Sequence, residues 1–131
     1  MTTQLKNVQH DFETGVGMIG ATVRLGSKWS KQPVGTIVDL WQCDRPHAGD
    51  CPAPAGGDAI GPDVGCVRRG QAQIVGHWCG ELIDLPTGVL ALEHETASRT
   101  WDGLVASLRR AYGDLVAASA KVTALLYLRI S

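Results

Sequence analysis

The spacing of hydrophobic residues along the chain predicts four strands and one helix. Apolar residues that alternate with polar ones, or runs of β-branched and aromatic residues, mark four stretches as strands: 21–25, 34–42, 72–85 and 121–130. Between residues 98 and 112 the apolar residues instead recur every three or four positions, which is the spacing of one helix face. The predicted order is therefore three strands, then the helix, then the last strand.

The same spacing predicts which strand side chains share a face. In the third strand, alternation assigns one face to Ala72, Ile74, Gly76 and Trp78, and the other face to Gln73, Val75, His77 and Cys79. The last strand is apolar on both faces, so we expect it to lie inside the sheet.

The helix carries one apolar stripe, which consists of Trp101, Leu104, Val105, Leu108 and Tyr112. We expect this stripe, including Trp101, to pack in the core. Ser98 or Thr100 is expected to cap the start of the helix and Gly113 to end it.

Three segments lack any such pattern. Residues 1–10 are polar and are expected to be loose. Residues 26–33 are expected to form a loop. Residues 43–70 contain four prolines among many glycines, and no period survives there. A loop of that length inside a small domain requires a cross-link or a function of its own.

Composition and charge indicate one globular domain covering residues 1–131. The net charge is −1, so any nucleic-acid site has to be a local patch. Apolar runs are too short for a membrane span, and the first nine residues lack the hydrophobic segment of a signal peptide. We therefore expect a cytoplasmic protein without membrane contact, whose four cysteines are reduced or metal-bound rather than disulfide-bonded.

The polar face of the first predicted strand is a candidate binding site. Thr22 and Arg24 lie on one side, about 7 Å apart, and Lys28 and Lys31 follow in the loop. An arginine beside a hydroxyl, with two amines nearby, can hold a phosphate or the polar edge of a base. The alternative is a solvated strand face. Trp29, in the same loop, either stacks on a base or anchors the loop by packing its indole.

Residues 17–24, which read Gly-Met-Ile-Gly-Ala-Thr-Val-Arg, resemble the signature of the ASCH domains. That signature is a glycine, a lysine two positions later, an acidic or hydroxyl residue three further on, and an arginine two beyond it. Gly17, Thr22 and Arg24 match, whereas Ile19 stands at the lysine position. The resemblance extends over about residues 12–130.

This resemblance implies an α+β, PUA-like fold and a link to RNA or nucleotides. The expected architecture is a mostly β barrel with one main C-terminal helix and a shorter N-terminal one. Residues 43–70 then form a long loop insertion.

In one ASCH branch, the acetylcytidine amidohydrolases, a lysine, a threonine and a glutamate carry the reaction. By resemblance the threonine corresponds to Thr22 and the glutamate to Glu95, a placement that needs a small gap, so that Glu93 is the alternative. Ile19 cannot take a proton from the threonine, so Lys28 would have to replace the missing lysine. The alternative for both glutamates is a solvated acidic segment that leads into the helix.

A second constellation lies in the irregular segment. Cys43, His47, Cys51 and Cys66 follow a Cys-x3-His-x3-Cys-x14-Cys spacing, and these ligand types suit tetrahedral zinc. Structural zinc would stabilise a segment that has no apolar core. The alternatives are unrelated reduced thiols beside a surface histidine or, less expected in a reducing compartment, a disulfide.

His77 and Cys79 alternate on the third predicted strand and therefore face the same way. They are either metal ligands, a Cys–His nucleophile pair or, most commonly for such residues, a half-buried structural pair.

Three functions remain open from the sequence. The favoured one is an ASCH-like module that binds RNA or a nucleotide, with Arg24 and the loop lysines on phosphate and Thr22 and Glu95 on a base edge. The second is a hydrolase acting on a modified nucleoside or on RNA, with Thr22 and Glu95 catalytic and Lys28 as the substitute base. The third is a scaffold that binds a protein partner through the 43–66 loop.

Overall fold

The computed structural model describes residues 3–8, 12–44 and 65–131, which form an α+β domain. Its five strands are β1 (Thr3–Val8), β2 (Ile19–Leu25), β3 (Ile37–Cys43), β4 (Cys66–Glu81) and β5 (Lys121–Arg129). Its two α-helices are α1 (Thr87–Ala91) and α2 (Trp101–Tyr112), and short 3-10 helices lie at Lys28–Lys31, Leu82–Asp84 and Thr96–Ser98. The four predicted strands and the main helix are therefore present, with shifted ends.

The strands form one mixed sheet in the order β1-β3-β4-β5-β2. β1 is parallel to β3, and the other neighbours are antiparallel. Within the described residues, β1 and β2 end the order without pairing with each other, so the sheet is not closed into the expected barrel. The position of β5 between β4 and β2 confirms that the last strand lies inside the sheet.

The prediction that the first ten residues are loose is wrong for β1. Leu5 is buried in the core, and the backbone from Thr3 to Val8 pairs with β3. The partner of this strand lies more than thirty positions away in sequence. Tertiary pairing therefore orders a stretch whose local composition is too polar to indicate a strand.

Two apolar layers cover the two faces of the sheet. We call one face the Tyr127 face, because Tyr127 and Leu125 of β5 point into its core cluster together with Phe12 and Ile74. We call the other the α2 face, since its core combines residues of β5 with Leu104 and Leu108 of α2, among others.

A β-bulge at Val75 corrects the predicted faces of β4. The register shifts between Ile74 and Gly76, so the strand alternation is reset at that point. Ile74 belongs to the core of the Tyr127 face, whereas Trp78 packs against the core of the α2 face. His77 lies opposite Leu125 and therefore shares the Tyr127 face with Ile74.

The caps of α2 agree with the prediction, but its apolar stripe is only partly buried. Thr100 Oγ1 accepts a hydrogen bond from the Gly103 N–H at 3.1 Å, and Gly113, with φ 105°, ends the helix. Trp101 is 39% exposed and Tyr112 is 45% exposed, so the prediction that Trp101 is a core residue is wrong. These two residues are the first and last of the helix, and its middle carries the packing.

The shorter helix α1 lies directly before α2 rather than near the N-terminus, where the resemblance placed it. None of the helices in the described residues is long and apolar enough to cross a membrane.

Candidate functional site

Thr22 and Arg24 are brought together on β2, as the sequence predicts. Thr22 lies opposite Leu125 and is 1% exposed, so its side chain is buried on the Tyr127 face. The Arg24 Nε donates a hydrogen bond to Thr22 Oγ1 at 3.1 Å, and its Nη1 donates to the Lys6 carbonyl oxygen at 2.5 Å. Arg24 therefore spans the gap between the two end strands of the sheet, and no sequence pattern indicates this role.

A second pair of buried polar groups lies beside β2, directly after α1. The backbone of residues 92–94 follows the outer edge of the strand, because the Ala21 N–H donates to Leu92 and the His94 N–H donates to Ala21, each at 2.7 Å. Glu93 is 2% exposed and His94 is 5% exposed. The Glu93 Oε1 contacts His94 Nδ1, which also lies 3.3 Å from the Ala21 carbonyl oxygen. This contact fixes the orientation of the imidazole ring.

Several buried atoms of these residues have no hydrogen-bond partner among the described residues. They include Arg24 Nη2, Glu93 Oε2 and His94 Nε2. Buried polar atoms are normally satisfied, and an unsatisfied one costs about 1–3 kcal/mol, more if charged. We call Thr22, Arg24, Glu93 and His94 the Arg24–Glu93 cluster. Among the described residues, Trp41 Nε1, His77 Nε2 and Ser98 Oγ are also buried without a partner, but they are not part of this cluster.

Tyr127 lies on β5 opposite Gly20, two residues before Thr22 on β2. Its hydroxyl group is 2.8 Å from Thr14 Oγ1, and its side chain is completely buried. Burial is the main cause that raises the pKa of Tyr127 to about 12, and the hydrogen bond from Thr14 opposes this shift. The charge of Glu93 raises the same pKa further, whereas the charge of Arg24 lowers it. We call the surroundings of the buried Tyr127 hydroxyl the buried position.

Aromatic rings and a glycine shape this buried position. The ring centroid of Phe12 is 5.1 Å from that of His94 and 6.3 Å from that of Tyr127. A Cβ atom on Gly20 would overlap Thr14 Oγ1 and lie 2.9 Å from the Tyr127 hydroxyl oxygen, so only glycine leaves room there. His94 therefore lies on the Tyr127 face, next to the strand that carries Thr22.

Glu95 lies on the other side of this segment, away from Thr22. It is 3% exposed, and its carboxylate lies 3.3 Å from Arg110 Nη2 and 3.4 Å from Ser107 Oγ, both on α2. Glu93, the alternative to Glu95 in the sequence comparison, is instead the acid beside β2. The local sequence Glu-His-Glu does not reveal which glutamate faces the helix, because hydrogen bonds to Ala21 set its register.

The predicted loop residues lie on one 3-10 turn. Lys28 and Lys31 are exposed, and Trp29 is half-buried against the core of the Tyr127 face. Of the two interpretations of Trp29, the one in which its indole packs and anchors the loop agrees with this position. Ile19, at the position of the expected lysine, is 41% exposed and lies opposite Leu128, which places it on the opposite face of β2 from Thr22.

His77 and Cys79 share the Tyr127 face of β4, as predicted. His77 is half-buried, and its Nε2 lacks a hydrogen-bond partner in the described part of the chain. The Cys79 Sγ is 3.4 Å from Thr123 Oγ1 of β5, and this thiol is exposed.

Two of the four predicted zinc ligands meet in the structure. Cys43 and Cys66 lie directly opposite each other at the end of the β3–β4 ladder and are joined by a disulfide, with Cα atoms 4.1 Å apart. The disulfide is the alternative that the sequence made less expected. His47 and Cys51 lie outside the described residues, and among the described residues no group of three or more metal-ligating side chains is present. Zinc stays a prediction.

Comparison of the chain with protein-family models, with curated proteins and with solved structures finds no match.

Proposed function

We propose that this protein is an ASCH-like, PUA-like module that binds a nucleoside or nucleotide, free or within RNA, with the base in the Arg24–Glu93 cluster. The observation that carries the proposal is a buried donor, Arg24 Nη2, and a buried acceptor, Glu93 Oε2, neither of which has a hydrogen-bond partner among the described residues. Arginine only donates hydrogen bonds, and an ionised glutamate only accepts them. A ligand edge with neighbouring donor and acceptor atoms would satisfy both groups at once, and every nucleobase has such an edge.

The charges of the cluster favour an uncharged base over a phosphate. If one ligand satisfies both groups, as proposed, a phosphate on Arg24 would also approach the Glu93 carboxylate, and like charges in a poorly solvated site repel strongly. This revises the expectation that Arg24 contacts phosphate. The phosphate role falls to the exposed amines of Lys28 and Lys31, which lie on the turn after β2. The base would then lie in the buried Arg24–Glu93 cluster, and the phosphate would lie at the protein surface near Lys28 and Lys31.

Hydrolysis of a modified nucleoside is the second candidate, and one observation favours it. Glu93 orients His94 through Nδ1 and leaves the buried Nε2 without a partner among the described residues. A carboxylate–imidazole pair of this kind is a common general base. Thr22 is next in sequence to Ala21, whose carbonyl oxygen accepts a hydrogen bond from the His94 N–H. His94 thus replaces the exposed Lys28 as the base in this proposal, and Glu93 replaces Glu95.

The test is a titration of isotope-labelled protein, followed by NMR, with the four common nucleosides, their 5′-monophosphates and ribose 5-phosphate. We expect base-containing ligands to shift the amide signals of Thr22, Arg24, Glu93 and His94. Ribose 5-phosphate should shift only signals near Lys28. If no base binds, or if ribose 5-phosphate binds as tightly as the nucleotides, the binding proposal is wrong.

Two glutamate variants provide a matched comparison. Glu93→Gln should weaken nucleoside binding by about tenfold or more, because it removes a charged acceptor worth about 1.5–3 kcal/mol. Glu95→Gln changes an equally buried carboxylate that faces α2 and should leave binding unchanged. Equal effects of the two changes would contradict the assigned site.

The same samples test for hydrolysis. Incubation with N-acylated nucleosides should release product in the wild-type protein, and Thr22→Ala and His94→Gln should each abolish release while the fold persists. Binding without product would leave the module as a binder only.

A further inference from the structure

The Cys43–Cys66 pair lies apart from the Arg24–Glu93 cluster, at the end of the ladder between β3 and β4. The two cysteines differ in accessibility: Cys43 is 1% exposed, whereas Cys66 is half-buried. Both pack against Trp41 in a small cluster of their own. Of the two residues, Cys66 is therefore the nearer to solvent, and exchange with a thiol reagent depends on such access.

Two hydrogen bonds beside the pair, one between backbone groups and one to a side chain, hold the two cysteines opposite each other in addition to the sulfur bond. The Asp44 N–H donates to the Gly65 carbonyl at 2.8 Å, and the Gly65 N–H donates to Asp44 Oδ1 at 3.0 Å. These bonds close the chain one residue beyond the cysteines, and the β3–β4 ladder closes it on the other side. Two thiols in this position would stay together, and Cys43 would behave as a small buried apolar residue.

We propose that Cys43–Cys66 is a reversible thiol–disulfide exchange site for a small solvent thiol such as glutathione, with Cys66 as the sulfur that is attacked. The thiolate of the first thiol forms a bond to Cys66 Sγ, the Cys43–Cys66 bond breaks, and Cys43 Sγ leaves and takes up the proton that the first thiol released. The thiolate of a second thiol then attacks the small-molecule sulfur of the mixed disulfide, the bond to Cys66 Sγ breaks, Cys66 Sγ takes up the proton of the second thiol, and the oxidised small disulfide is released. The protein gains two electrons and two protons, and the two small thiols lose them.

The exchange test uses the full chain with Cys51→Ser and Cys79→Ser, because these are the two cysteines outside the pair and would also react, whereas zinc is measured on the wild-type chain. The protein is incubated with glutathione buffers of graded redox ratio, quenched with acid, alkylated and mapped by peptide mass. We expect Cys43 and Cys66 to change together from disulfide to dithiol, to return when oxidised glutathione is restored, and to keep the far-UV circular dichroism of the fold.

Two further variants identify the sulfur that is attacked. In Cys43→Ser, the remaining Cys66 should form a mixed disulfide with oxidised glutathione. In Cys66→Ser, the buried Cys43 should react at least about tenfold more slowly, because thiol exchange requires access.

Four results would each overturn the proposal. Three concern the exchange reaction: equal reaction rates of the two single-cysteine variants with oxidised glutathione, unfolding of the domain when the disulfide is reduced, and no reduction of the disulfide by glutathione. The fourth is that the cysteines of protein purified without reductant are free thiols that hold one zinc ion per chain.

Discussion

Replacement of Arg24 should destabilise the fold as well as the candidate site, because this side chain joins both end strands of the sheet. Arg24→Met removes the hydrogen bonds to Thr22 Oγ1 and to the Lys6 carbonyl while it keeps most of the side-chain volume. Hydrogen bonds from a charged donor contribute about 1.5–3 kcal/mol each. Removal of Nη2, a buried donor without a partner, also removes its desolvation penalty and so offsets part of that loss. We therefore expect a net loss of about 2–3 kcal/mol in the free energy of unfolding.

The assay is urea unfolding, with Arg68→Met as the matched control. Arg68 also pairs across strands, with Asp39 at 2.9 Å, but its side chain is 35% exposed. An exposed pair of this kind contributes about 0–1 kcal/mol. Arg24→Lys should give an intermediate loss, since a single ammonium group cannot reproduce the forked contact with two acceptors. Equal unfolding midpoints for the Arg24 and Arg68 variants would refute the bridging role of Arg24.

Three further predictions concern the buried position and its surroundings. Gly20→Ala should lower the free energy of unfolding by about 1–3 kcal/mol, because its Cβ would overlap the Tyr127 hydroxyl, and a wild-type urea midpoint would contradict this. Because the pKa of Tyr127 is raised from 10.0 to about 12, stability should fall as pH rises from 10 to 12, and Tyr127→Phe should lose that alkaline dependence in pH-dependent melting. Hydrogen bonds from Thr96 lower the pKa of Glu13 below 4.5, so its contribution should be complete above pH 4.5 and vanish at lower pH, a change that Glu13→Gln should remove in acid titration.

The spacing of apolar and polar residues in the sequence predicted those features of the fold that are set by residues close together in the chain. The caps of α2, the internal position of β5 and the shared face of Thr22 and Arg24 follow from spacing alone, because side-chain direction in a regular element is fixed by its period.

The differences arise where distant pairing decides the structure. β1 is ordered by a parallel partner, and Glu93 rather than Glu95 faces β2 because backbone hydrogen bonds to Ala21 set the register. Similarly, the approach of Cys43 to Cys66 depends on the β3–β4 ladder and not on their spacing in the sequence.

The bulge at Val75 makes the length of β4 more important than the identity of the bulged residue. The Val75 side chain is 40% exposed, so many residue types can occupy this position. Deletion of the residue, in contrast, would exchange the faces of everything that follows it in the strand. Trp78 would then point away from α2, and His77 would leave the face that carries Thr22. Position 75 therefore tolerates substitution but not deletion, since the extra residue lets Ile74 and Trp78, which alternation would put on one face, pack against different cores.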